Sequence, residues 1–109
     1  MDKNKPREDG SVLLKERTKL QPKKPGKYAV VILNDDYTPR DFVVWLLQTV
    51  FAKSLEKANQ IMMEAHTTGK ALCGIYTKDI ANTMVLQVRN LADQYEFPLE
   101  CRIEAVKEE

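Results

Sequence analysis

Two separated stretches of the chain hold the polar side chains that could act on a ligand. Asn34, Asp35 and Asp36 interrupt a run of apolar residues, and His66 is the only histidine. An amide, two carboxylates and a neutral imidazole all offer lone pairs that accept hydrogen bonds. Gathered around one point, they would suit a ligand that only donates hydrogen bonds.

Two other chemistries fit this set less well. A metal site would use His66, Asp35 and Asp36, but first-row metals usually require a second His or Cys at a spacing such as HxxxH, which is absent. A hydrolase would need a nucleophile beside the base, and neither Thr38 nor Cys73 is accompanied by a glycine-rich oxyanion turn. We therefore predict no metal, no cofactor and no catalytic residue.

An ammonium group matches the acceptors best, because it carries three N–H donors, no acceptor and a positive charge. The side-chain oxygen of Asn34, a neutral His66 and a backbone carbonyl or bound water could accept its hydrogen bonds. Asp35 and Asp36 would supply the negative field. Each such charge-assisted hydrogen bond contributes about 1.5–3 kcal/mol.

Apolar side chains are expected beside these acceptors, from Val43, Met62 and Leu99. Burying one large apolar side chain there would add about 1.5–3 kcal/mol. An amine next to a bulky apolar side chain describes the first residue of a peptide with a free N-terminus. The residues thus favour binding of such a residue rather than its chemical transformation.

Two plainer interpretations of the same residues stay open. Residues 34–36 could simply form an Asx-type turn before a capped helix. His66 follows Ala65 on the apolar face of its helix, so it could be a partly buried histidine satisfied by a neighbouring carbonyl. Neither interpretation implies a ligand.

The first half of the domain is predicted to form a strand and two helices. Residues 28–33 are continuously apolar, which is typical of a strand buried on both faces. Thr38 as N-cap, followed by proline and an acid, marks the start of a largely enclosed helix that extends to Phe51. Ser54 is predicted to cap a second helix, which Gly69 ends in a left-handed conformation.

The second half is predicted to form a strand, a helix and a strand. Residues 71–76 form the second strand, and residues 99–105 alternate between apolar and polar, as a strand with one dry face does. Between them, Thr77 begins a helix whose predicted buried stripe consists of Ile80, Met84, Val88, Leu91 and Tyr95. The fold class is therefore α+β, a small sheet with all helices on one side.

Composition indicates one soluble domain preceded by an extension. Residues 1–26 are polar and end in a proline-rich segment, so we predict a flexible extension before a core domain at 27–109. No segment is predicted to span a membrane or to be a secretory signal, and a cytoplasmic location is expected. Cys73 and Cys101 are interpreted as reduced core residues.

Charge is distributed unevenly along the chain. Residues 1–27 contain nine Lys/Arg and four Asp/Glu, whereas the remaining residues contain eight and twelve. Charge that could steer a partner therefore lies in the extension. Because the core is acidic and lacks interleaved aromatic and basic residues, no nucleic-acid binding is predicted.

Three segments of the chain closely resemble one family. VILNDDYTPRDFVVWLLQTVF, KANQIMMEAHTTGKALCGIYTKDIA and YEFPLECRIE, within residues 27–105, are similar to the Clp protease adaptor family, ClpS. The resemblance implies a three-stranded antiparallel sheet packed by three helices. It also implies a non-enzymatic adaptor that binds proteins with an N-degron, which begin with Leu, Phe, Tyr or Trp. The adaptor would deliver these proteins to the ATP-dependent unfoldase ClpA, which feeds the ClpP peptidase.

The resemblance also implies roles for individual residues. Those that would hold the α-amino group are Asn34, Asp35 and His66. Those that would line the side-chain pocket are Asp36, Thr38, Val43, Met62, Ala65 and Leu99, with Ala65 standing where valine is common. Arg40 occupies the position of a methionine that often guards the pocket against β-branched side chains, and its aliphatic stem could still cover the mouth.

A second surface is implied for docking to the N-terminal domain of a ClpA-type unfoldase. Tyr76, Thr77 and Asp79 match the family there, whereas Asn82 and Met84 depart from its charged residues. Two of these residues also have a purely structural interpretation. Asp79 could do no more than compensate the helix dipole, and Met84 could simply be part of the buried stripe. The extension would be engaged by the unfoldase during delivery.

A different class of function is a structural module resembling the C-terminal domain of the ribosomal stalk protein. Such a domain would bind translation factors through the outer surface of its helices. It would have no peptide pocket and would give Asn34 and His66 no task.

Overall fold

In a computed structural model, which describes residues 26–107, three strands and three helices form one α+β domain. The strands are β1 (Tyr28–Leu33), β2 (Lys70–Tyr76) and β3 (Glu100–Ala105). The helices are α1 (Arg40–Phe51), α2 (Leu55–Thr68) and α3 (Lys78–Gln94). The chain order β1-α1-α2-β2-α3-β3 confirms the predicted succession of elements. The predicted extension, residues 1–26, lies outside the described residues except for Gly26.

The sheet places the first strand at its centre. The strand order is β2-β1-β3, and both pairings are antiparallel. One register shift interrupts the β1–β2 pairing between Val30 and Val31. This order confirms the predicted fold. The central residues of β1, 30–32, are buried, whereas its ends are half-buried.

All three helices cover one face of the sheet. Side chains from all six elements form the buried core on that face, and the largest fully buried ones are Ile32, Leu46, Leu47, Val30, Val88 and Cys73. The opposite face carries the ion pair of Lys70 Nζ with Glu104, at 2.9 Å, which joins the two edge strands across β1. Val31 points to this open face and is nevertheless only 4% exposed.

The helix termini follow the prediction in α2 and depart from it in α1. The hydroxyl of Ser54 accepts from the backbone N–H of Lys57 at 3.0 Å, and Gly69 ends α2 with φ of 97°. At α1 the predicted N-cap, Thr38, is wrong, because the helix begins at Arg40, one residue later than predicted, and the Thr38 hydroxyl donates to the carboxylate of Asp35. Pro39 is the capping residue, and its carbonyl accepts the first N–H groups of the helix. Thr77 is the N-cap of α3, but its side chain makes no capping hydrogen bond.

The predicted buried stripe of α3 is displaced by about one position. Ile80 and Tyr95 are exposed, and the buried face consists of Ala81, Val85, Val88 and Ala92. Small side chains allow a helix to approach its neighbours closely. The alanine-containing face of α3 therefore packs against the core, and the larger residues Ile80 and Tyr95 lie beside this contact.

Helix α1 is less enclosed than predicted. Trp45 is 40% exposed although the helix is apolar around most of its circumference. The indole packs against Phe42, at a centroid distance of 5.7 Å, and against Tyr95 at 6.0 Å. These aromatic contacts hold the indole while part of it stays in water.

Cys73 and Cys101 are free and buried, as predicted. Burial raises the pKa of the Cys101 thiol to about 12 and raises the pKa of the Cys73 thiol further still. Because the thiolate is the reactive form, we expect neither cysteine to react with a disulfide reagent at pH 8 in the folded protein, and both to react after unfolding. A thiol that reacted equally fast in both states would contradict this burial.

No helix within residues 26–107 is long and apolar enough to cross a bilayer.

Candidate functional site

The pairing of β1 with β2 brings the two polar stretches together. Helix α2 ends at Gly69 and β2 starts at the next residue, where Lys70 pairs with Leu33. One step beyond this pair, the backbone N–H of Asn34 donates to the carbonyl of Gly69 at 2.9 Å. Since His66 lies in the last turn of α2, the loop after β1 and the end of α2 are held side by side.

A cavity of about 270 Å³ lies between these segments. It is lined by all ten residues that were predicted to hold the α-amino group or to form the pocket, namely Asn34, Asp35, Asp36, Thr38, Arg40, Val43, Met62, Ala65, His66 and Leu99. Its volume lies just below the range of pockets that take drug-sized ligands, which suits a single large side chain. The roles of the individual residues remain predictions.

Apolar side chains form one wall of the cavity. They come from β1, α1, α2 and the segment before β3. Val43 of α1, Met62 and Ala65 of α2, and Leu99 are all less than a tenth exposed, because they also belong to the main core. Ile32 and Leu33 complete the lining and were not predicted. Their position at the end of β1, directly before Asn34, could have indicated that they line the cavity.

Asp35 organises the loop that borders the cavity. Its Oδ1 accepts from the backbone N–H of Tyr37 at 2.8 Å and of Thr38 at 2.7 Å. Its Oδ2 accepts from the hydroxyl of Thr38 at 2.8 Å. The Asx-type turn considered above is therefore present. A carboxylate has about four lone-pair sites, so Asp35 can still accept from a ligand.

The neighbouring polar side chains are open to a ligand. Asn34 and Asp36 are both exposed, and within residues 26–107 neither side chain has a hydrogen-bond partner. Asn34 is held through its backbone by Gly69, which leaves its side-chain amide free to turn toward the cavity. Its side-chain oxygen can thus accept from a ligand without first breaking a hydrogen bond within residues 26–107.

His66 is exposed, so the expectation of a partly buried histidine bonded to a carbonyl is wrong. The buried face of α2 is formed by residues 58, 61, 62 and 65, and His66 lies just beyond its edge. Its Nε2 is 2.8 Å from Nη2 of Arg40. A guanidinium can only donate, so Nε2 is the acceptor in this contact. The acceptor of the imidazole therefore lies at the cavity mouth and is engaged by Arg40.

Together these residues can hold a small cation beside an apolar group. The acceptors come from Asn34, Asp35 and His66, and the apolar wall stands next to them. The candidate nucleophiles are placed elsewhere or engaged, since Cys73 is buried and the Thr38 hydroxyl donates to Asp35. Within the described part of the chain, no group of three or more His, Cys, Asp or Glu side chains could hold a metal ion.

The predicted docking residues lie apart from the cavity, at the end of β2 and the start of α3. Thr77 and Asp79 are exposed, Tyr76 is half-buried, and Met84 is half-buried against the core. The phenol ring of Tyr76 lies over Gly74, where a Cβ would be 2.6 Å from Cζ of the ring. The packing of Met84 agrees with its assignment to the core rather than to a docking surface.

Comparison with known sequences identifies similar proteins. Residues 23–102 match the family model described as ATP-dependent Clp protease adaptor protein ClpS. A ClpS adapter protein of Leptospira biflexa is 49% identical over 98 residues, covering 90% of this chain and 87% of the relative. Another, from Herminiimonas arsenicoxydans, is 50% identical over 99 residues, covering 91% and 95%.

A solved structure has the same fold. It is that of Agrobacterium tumefaciens ClpS2 bound to L-phenylalaninamide, with a TM-score of 0.75 and 38% sequence identity. The match covers 76% of this chain and 100% of the other.

Proposed function

Because this chain belongs to the family of ATP-dependent Clp protease adaptor proteins, ClpS, we propose that it binds the first residue of N-degron substrates and delivers them to a ClpA-type unfoldase. The preferred first residues are Leu, Phe, Tyr and Trp with a free α-amino group. The protein acts in the cytoplasm as an adaptor and leaves its ligand chemically unchanged.

The observation that carries the proposal is that hydrogen-bond acceptors border a cavity with an apolar wall. The α-ammonium donates to the side-chain oxygen of Asn34 and to Nε2 of His66, in the field of Asp35. The adjoining side chain enters the space between Val43, Met62 and Leu99. L-phenylalaninamide, the molecule bound to the Agrobacterium relative, has this combination of a free amine and one apolar ring.

Delivery requires a second surface that stays accessible while the cavity is filled. Tyr76, Thr77 and Asp79 lie outside the cavity lining, so a first residue held in the cavity does not cover them. We assign docking of the unfoldase N-terminal domain to this group and leave Met84 to the core. The extension, residues 1–26, is engaged by the unfoldase during delivery.

The alternative of a ribosomal-stalk-like module is set aside, because the chain belongs to a different family. That alternative also gives no purpose to the acceptors around the cavity.

The proposal is tested with fluorescent peptides that begin with Phe, either free or acetylated at the α-amino group. Acetylation removes the charge and two of the three donors, so we expect the dissociation constant to rise at least about 10-fold, the value of one charge-assisted hydrogen bond. Fluorescence anisotropy measures both peptides, and a peptide beginning with Gly controls for the apolar contribution. Equal affinity for the free and acetylated Phe peptides would overturn the proposal.

A further inference from the structure

Arg40 occupies the acceptor that the proposed ligand needs. It is the first residue of α1, is exposed, lines the cavity, and donates from Nη2 to Nε2 of His66 at 2.8 Å. Within the described residues this is its only side-chain hydrogen bond. The neutral imidazole has a single acceptor lone pair, at Nε2. An α-ammonium that binds there must take the place of the guanidinium.

The displaced guanidinium stays close to the bound ammonium. Arg40 and His66 line the same cavity, so the guanidinium and the bound ammonium share its mouth. Two positive charges at such short range repel each other near a protein surface. The guanidinium also needs acceptors for five N–H donors.

The protein supplies only part of what the guanidinium needs. Asp35 already accepts three hydrogen bonds within its own turn. Asp36 lines the same cavity and is without a partner in the described chain, so it can receive some of the donors. Water can accept from the remaining donors of this exposed side chain, but a second carboxylate would replace that water with a charge-assisted, bidentate pair.

The second residue of the substrate is the nearest source of such a group. Its Cα lies about 3.8 Å from that of the first residue, and an Asp or Glu side chain extends beyond this. On the basis of the proposed function, we propose that Arg40 determines specificity at this position: it favours substrates whose second residue carries a carboxylate and disfavours those whose second residue is Lys or Arg.

The test compares peptides that share a free N-terminal Phe and differ only in the second residue, Asp, Ala or Lys. For the native protein we expect the Asp peptide to bind about 3-fold more tightly than the Lys peptide at about 50 mM salt, and this ratio to shrink at about 500 mM salt. For Arg40→Gln and Arg40→Met we expect the ratio to vanish or to reverse, because Asp35 and Asp36 then dominate the local charge.

Two variants are used because methionine also changes the shape of the mouth, whereas glutamine keeps polar donors and removes the charge. The same Asp-to-Lys ratio in the native protein and in both variants would overturn this inference alone. Failure of every free-amine Phe peptide to bind would instead overturn the proposed function and the inference with it. The Ala peptide shows whether Arg40 affects overall affinity.

Discussion

Replacement of His66 by alanine is expected to raise the dissociation constant of a free-amine Phe peptide by about 10- to 150-fold. The change removes one charge-assisted hydrogen bond, which contributes about 1.5–3 kcal/mol. Stability should change by less than about 0.5 kcal/mol, because the side chain is exposed and Arg40 is its only side-chain partner within residues 26–107. Anisotropy titration and chemical denaturation measure the two quantities.

Glu64→Ala is the matched control for this change. Glu64 is an exposed residue of the same helix that does not line the cavity, so its replacement should alter neither affinity nor stability. Docking to the N-terminal domain of a ClpA-type unfoldase should be equal in all three proteins. If His66→Ala lost docking as well as peptide binding, a folding defect would explain the loss, and the assignment of His66 to the amine would fail.

Replacement of Asp35 by alanine is expected to damage both the fold and the site. Two backbone N–H groups and the hydroxyl of Thr38 lose their acceptor. Since the Tyr37 bond is exposed and water can replace it, we expect a loss of about 1–3 kcal/mol in the free energy of unfolding. Peptide affinity should fall at least about 10-fold, because the loop that carries Asn34 is no longer held and the negative field is weaker.

Asp36→Ala shows whether a loss of stability in Asp35→Ala comes from the lost charge or from the lost hydrogen bonds. It removes the same formal charge from the adjacent, exposed residue, which accepts no hydrogen bond within residues 26–107. We expect its unfolding free energy to change by less than about 0.5 kcal/mol. Denaturant midpoints for Asp35→Ala and Asp36→Ala that shift equally would contradict a structural role for the Asp35 turn.

Several features of the fold follow from patterns between near neighbours in the chain. The continuous apolar run of β1, the serine that caps α2 and the glycine that ends it were predicted and are present. Each depends on a periodicity or a hydrogen bond within a few residues, and such interactions can be identified before the fold is known. The separated acceptors, Asn34, Asp35 and His66, could likewise be identified as suited to an ammonium.

Other features depended on competition that local patterns do not reveal. Helix α1 could begin directly after Thr38 or one residue later. In the structure it begins at Arg40, after Pro39, and the Thr38 hydroxyl donates to the carboxylate of Asp35. The buried face of α3 could centre on large residues or on alanines, and close packing against the rest of the core favoured the alanines.

By itself, the sequence determined the order of the elements and the chemical character of the site, since both reside in residue types and short spacings. Only the tertiary structure decided that residues 34 and 66 share one cavity and that Arg40 donates to His66. The physical reason is that these contacts join residues far apart in the chain. They arise from the antiparallel pairing of β1 with β2 and from side-chain directions that exist only once the helices are packed on the sheet.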